Sequence, residues 1–231
     1  MNEKNEIAII PTCVPHSAED LRKEVEKIRS FSSMIHIDVD DGLFTPRLSW
    51  PYREKGRRGE FDFLPYRDVV YEAHLMVSDA REIGENFINA GGTSLVAHIE
   101  SFPDRDMMRE SFALWRDAGA REIGLAVLLG TSLHDLDTSV PFCDFIQVLS
   151  VAKIGAQGVP YDPRAVGHVR AIHERYPSVC IGVDGGVCAT NIKELVEAGA
   201  TRFAVGSAIM HAPDPESAYA YIRSVAESAL Q

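Results

Sequence analysis

Short apolar runs alternate with amphipathic segments from one end of the chain to the other. This rhythm limits the fold more than any other feature, because each apolar run needs cover on both faces. Ile7 to Ile10 reads as a first strand, and Ser17 with Asp20 resembles a capping box ahead of the stripe Leu21, Val25, Ile28. A second strand ends in His36 and Asp38, and a third in His74 and Met76. Asp79 is placed to cap a helix carrying Ile83, Phe87 and Ile88. Ser94 to His98 reads as strand four, with a helix from Asp104 to Ala118. Ile123 to Val127 reads as strand five, with a helix starting near Thr131. Phe145 to Leu149 precedes a helix from Pro163 to Arg175. Val179 to Val183 precedes a helix that starts at Thr190 and closes at Gly199. Arg202 to Val205 is the eighth strand, and a last helix opens at Pro213 to Pro215.

Eight strand–helix units without a composition break predict a single (β/α)8 TIM barrel, one domain over residues 1–231. A doubly wound open sheet is the alternative, and the regular repetition favours closure. Only the segment from Trp50 to Glu60 breaks the rhythm. It reads as a solvated loop or as a mobile flap over a site.

A formal net charge of −11 argues against a nucleic-acid or anionic-membrane surface. No apolar run approaches the ~18 residues a membrane span needs. Met1 to Glu6 is polar and lacks a signal-peptide core. Cys13, Cys143, Cys180 and Cys188 form no C-x-x-C pair, which reads as reduced thiols in a cytoplasmic protein. Cys13 lies near the first strand's end, where core filling is the ordinary role.

Chemistry concentrates at strand ends. In Ile35-His36-Ile37-Asp38, alternation turns the imidazole and the carboxylate to one face. His74 and Asp184 end two further apolar runs. One such histidine is ordinarily a core residue. Four ligand-type side chains on one barrel rim suit Zn²⁺, Mn²⁺ or Fe²⁺, with positions left for a substrate. Gly185-Gly186 and Gly206-Ser207 follow strands seven and eight, where small residues let backbone N–H groups reach an anion.

Met34 to Phe44, His74-Leu75-Met76-Val77, Val183 to Gly186 and Val205 to Ile209 together resemble the ribulose-phosphate 3-epimerase family, over Ile9 to about Tyr221. The resemblance implies a barrel acting on a phosphorylated ketose, with one divalent metal ion held by His36, Asp38, His74 and Asp184. It implies that Asp38 and Asp184 are the acid–base pair. It also implies substrate and phosphate contacts from Thr12, Met76, Gly155, Gln157, Gly185, Gly186, Gly206 and Ser207. A homo-oligomer is compatible with it. The first-guess reaction converts D-ribulose 5-phosphate to D-xylulose 5-phosphate. Rivals are a ketohexose 6-phosphate such as allulose 6-phosphate, or a silent barrel that binds a metabolite or a partner.

The chain departs from the family pattern in places. Asp40 and Leu149 stand where methionines are usual, Thr12 replaces a serine, and Arg47 replaces an asparagine. The loop Ala152 to Gly158 only loosely matches the family's Asn-Pro-Gly-Phe-Gly-Gly-Gln, although Lys153 offers a cation there. Asp40 shares strand parity with Asp38, so an added pocket carboxylate is expected.

Overall fold

The computed structural model describes residues 6–61, 65–151, 154 and 160–230. Eight parallel strands close into a barrel in chain order. They are β1 (Ala8–Cys13), β2 (Met34–Asp40), β3 (Val70–Met76), β4 (Ser94–His98), β5 (Glu122–Leu128), β6 (Phe145–Leu149), β7 (Cys180–Asp184) and β8 (Arg202–Val205). The ring closes where Ala8 to Pro11 of β1 pair with Arg202 to Val205 of β8. The first strand therefore runs past Ile10, where the apolar run ends, because Pro11 is accommodated opposite Val205.

The helices are α1 (Ala18–Ile28), α2 (Ala80–Asn89), α3 (Arg105–Ala118), α4 (Leu133–Leu136), α5 (Arg164–Arg175), α6 (Ile192–Glu197), α7 (Ser207–Met210) and α8 (Pro215–Ser228). Ser17 caps α1 as its spacing predicts, its hydroxyl accepting from the Asp20 N–H at 3.1 Å. Asp79 occupies the N-cap of α2 without a side-chain bond. The helix expected near Thr131 is a single turn capped by Ser132, and α7 has no sequence stripe to announce it. The apolar faces of the longer helices, such as Leu21, Val25 and Ile28, or Phe112 and Trp115, meet the outward strand side chains in one continuous core.

Inside the ring a second set of side chains is stacked in layers, as the two-residue period of a strand requires. Val96, Ala126 and Phe145 form a small apolar cluster there. Gly124 makes room for it, since a Cβ would lie 2.4 Å from the Phe145 ring. Arg202 stacks on that ring, 4.4 Å from its centroid. The segment 41–61 contains no helix. It buries Trp50, Tyr52 and Phe61 instead. Trp50 packs edge-on against Phe61 at 4.7 Å, and Phe61 against Phe87 of α2 at 5.2 Å. Residues 53–57 and 60 between these rings are exposed, as a solvated loop is, while the rings themselves form an aromatic plug where a helix would cover the barrel.

No described helix is long and apolar enough to cross a membrane. All four cysteines are free thiols.

Candidate active site

Register brings the strand-end residues together. On the barrel wall His36 lies beside Thr12 of β1 and Glu72 of β3, while Asp38 lies beside His74. Asp184 ends β7, beside Leu149 of β6. One ligand atom from each of His36, Asp38, His74 and Asp184 falls within 4.8 Å of the other three. His36 Nε2 is 3.5 Å from Asp38 Oδ1 and 3.9 Å from Asp184 Oδ2. His74 Nδ1 is 3.5 Å and 3.0 Å from the same two oxygens.

Three of these buried atoms, His36 Nε2, Asp38 Oδ1 and His74 Nδ1, have no hydrogen-bond partner among the described residues. Buried polar atoms without partners are costly, so a converging set of them marks a place built for a ligand. Two imidazoles and two carboxylates are the donor set of a Zn²⁺, Mn²⁺ or Fe²⁺ site. The residues fit such an ion.

Burial alone would lower the pKa of His36, but the carboxylates of Asp38, Glu72 and Asp184 outweigh it and raise it to about 10. His74 follows the same pattern: burial lowers, Asp184 and Asp38 raise, and the result is about 9. Burial pushes Asp38 up, yet the two imidazoles hold it well below the usual carboxylate range. The cluster is thus a pocket of negative potential that gathers positive charge, as protons or as a cation.

Behind the cluster lies a layer that the sequence reading did not single out. Glu72 accepts from His36 Nδ1 at 2.7 Å and from the Ser94 hydroxyl at 2.6 Å, and it pairs with Arg202. Burial opposes its charge, but Arg202 and His36 bring its carboxyl down to about 2. His98 Nε2 lies 2.9 Å from His74 Nε2. The signal for Glu72 was its parity with His74, two residues away on the same strand.

Above the cluster opens a cavity of about 400 Å³. Asp38 and Asp184 line it, with Thr12, Met76, Gly185, Gly186, Gly206 and Ser207, so each of these predicted residues faces one space. Gly155, Gln157 and Lys153 lie outside the described residues. Gly185 and Gly186 take φ of 109° and 67°, and a Cβ on Gly186 would meet the Tyr161 backbone at 3.1 Å, so larger residues are strained there. Arg47 and Lys23 add cations to the wall. Cys13 lines it too, but burial pushes its thiol far up, which suits a packing role.

Asp40 departs from expectation. It is fully buried, accepts from the Thr45 hydroxyl at 2.6 Å, and does not line the cavity. The 41–49 turn folds over it: the Asp40 N–H donates to the Ser49 hydroxyl, and the Asp40 carbonyl accepts from the Ser49 N–H.

The sequence profile of the ribulose-phosphate 3-epimerase family matches residues 8–210. A ribulose-phosphate 3-epimerase of Aquifex aeolicus is 30% identical over 207 residues, which cover 88% of this chain and 89% of that protein. One of Synechocystis is 28% identical, with 94% of each chain covered. Among solved structures, 3-hexulose-6-phosphate synthase of Salmonella typhimurium superposes with a TM-score of 0.70 at 14% identity, over 96% of this chain and all of that one. That likeness concerns the barrel alone. From the profile match and the relatives, the chain belongs to the ribulose-phosphate 3-epimerase family, a family of isomerases.

Proposed function

We propose that the protein, as one barrel domain, epimerises a phosphorylated ketose at C3, interconverting D-ribulose 5-phosphate and D-xylulose 5-phosphate. The observation that carries this reading is the pair Asp38 and Asp184. They come from β2 and β7, line one cavity, and have oxygens within 4.8 Å of each other. Inversion at a carbon needs a base on one face and an acid on the other. One carboxylate takes the C3 proton, and the electron pair left behind delocalises onto the C2 oxygen as an enediolate. The other carboxylic acid returns a proton to the opposite face. The two groups then exchange roles for the reverse direction.

A divalent cation held by His36, Asp38, His74 and Asp184 supplies positive charge beside the developing enediolate when bound. Gly185, Gly186, Gly206 and Ser207 are the proposed phosphate contacts, and Thr12 and Met76 face the sugar. The family relatives bear the name of this reaction, which supports the substrate assignment.

The test is exchange of the C3 proton in heavy water with ribulose 5-phosphate, with xylulose 5-phosphate followed alongside. Asp38→Asn and Asp184→Asn should each lose at least about 100-fold in exchange, and the double variant little more, because the pair acts as a unit. Metal content is measured on the same samples. Wild-type turnover in either single variant would refute the two-carboxylate scheme.

A further inference from the structure

The two imidazoles of the cluster present opposite ring nitrogens to it. His36 offers Nε2 and His74 offers Nδ1. To donate a lone pair, the two rings must therefore hold opposite neutral tautomers, each set by what lies behind the ring. For His36 the answer is direct. Its Nδ1 lies 2.7 Å from the Glu72 carboxylate, an acceptor, so Nδ1 carries the proton and Nε2 is bare.

Among the described residues, no carboxylate bonds His74 Nε2. That nitrogen meets a second imidazole instead, His98 Nε2, at 2.9 Å, with the rings inclined by only 20°. One of those nitrogens donates and the other accepts, and the contact itself does not say which. Glu100 decides it. Its Oε2 is 3.1 Å from His98 Nδ1, while its Oε1 accepts from the Leu128 N–H at 3.0 Å and from the Thr131 hydroxyl. An acceptor on Nδ1 puts the His98 proton there. His98 Nε2 is then an acceptor, His74 Nε2 must donate to it, and His74 Nδ1 is left bare toward the cluster.

We infer that His98 is a positioning residue: it holds His74 in the Nε2–H tautomer, and Glu100 holds His98 in the matching one. Neither lines the cavity of Asp38 and Asp184. The inference rests on the reading that the cluster holds a divalent cation.

Glu100→Gln tests it with almost no change of shape. Leu128 N–H is a backbone donor that cannot reverse, so the amide oxygen takes the Oε1 position and the NH₂ faces His98 Nδ1. His98 must then accept on Nδ1 and carry its proton on Nε2, head-on against the His74 proton. His74 escapes only by moving that proton to Nδ1, the atom a cation needs. Zn²⁺ affinity, read by chelator competition, should fall about 10–100-fold, with urea unfolding of the metal-free protein confirming the fold. Nitrogen-15 histidine NMR of the Zn²⁺-loaded wild type should show the His98 proton on Nδ1 and the His74 proton on Nε2.

A wild-type spectrum with the His98 proton on Nε2 overturns the inference without any variant. So does Glu100→Gln affinity within about twofold of wild type, a change far below the ordinary cost of losing such support. Wild-type protein that takes up no Zn²⁺ refutes the cation reading itself, a result separable from the others because it is read before any substitution.

Discussion

Arg202→Met should cost the protein about 3 kcal/mol and leave the barrel folded. Glu72 is fully buried, and burial works against its charge, yet its carboxyl is held at about 2 instead of 4.5, with Arg202 the largest favourable influence. That difference is worth about 3 kcal/mol at 1.36 kcal/mol per pH unit. Loss of one partner from a buried pair typically costs about 3–5 kcal/mol, and the lower end applies because His36 and Ser94 still bond Glu72. Methionine keeps most of the stem that packs on Phe145. For a chain of this size, the loss corresponds to about 6–12 °C in Tm. A depressed acid stabilises above its unfolded pKa, so the penalty should be full at neutral pH and shrink as pH falls from 4.5 towards 2. The assay is urea unfolding of metal-free protein, with Glu72→Gln/Arg202→Met beside the single variant. Gln keeps the bonds to His36 and Ser94 without the charge, so the double variant should regain most of the loss. A penalty below about 1 kcal/mol, the worth of an exposed pair, or a double variant less stable than the single, refutes the reasoning.

Three further outcomes are expected. His36→Ala and His74→Ala should each weaken Zn²⁺ binding by at least about 10–100-fold in chelator competition, and full occupancy in both would remove the cluster as a metal site. In metal-free protein His36 and His74 titrate at about 10 and 9, raised from 6.5. Their contribution is complete below 6.5 and lost as pH rises through 9 and 10, so Tm should fall over that window while Zn²⁺ affinity climbs; a flat Tm would contradict the assignment. Asp40 is raised from 3.8 to about 6, burial being the main cause, so its charge opposes folding above that pH. Asp40→Asn should then stabilise by up to about 3 kcal/mol above pH 6 and not at all below 3.8, and an unchanged Tm above pH 6 would show that the carboxyl is not strained.

Much of the fold was legible because apolar runs and caps are local signals. Strands four, six and eight fall at their expected residues, Ser17 caps where the sequence placed it, and Asp104, the expected start of α3, is that helix's N-cap. The four clustered residues were legible for a related reason, since each ends an apolar run. What lies behind them was not. Glu72, Ser94 and Arg202 meet only through the register of β3, β4 and β8, and His98 gains its meaning from a neighbour on β3. Nothing in one strand announces the register of the next. Asp40 misled because parity says which way a side chain points, and not whether a turn such as 41–49 folds over it.

The aromatic plug after β2 has a kinetic consequence. Lifting 50–61 away from the barrel would expose Trp50, Tyr52 and Phe61 together. At roughly 500 Å² of apolar surface this is about 12 kcal/mol. An excursion that rare, fewer than about one molecule in a hundred million, cannot open and close once per catalytic cycle. Asp41 adds a clasp at the root, accepting from the backbone N–H and the hydroxyl of Ser78 beyond β3, both at 2.7 Å. Segment 50–61 is thus a fixed part of the barrel's outer layer, held by three rings and a clasp instead of by helical hydrogen bonds.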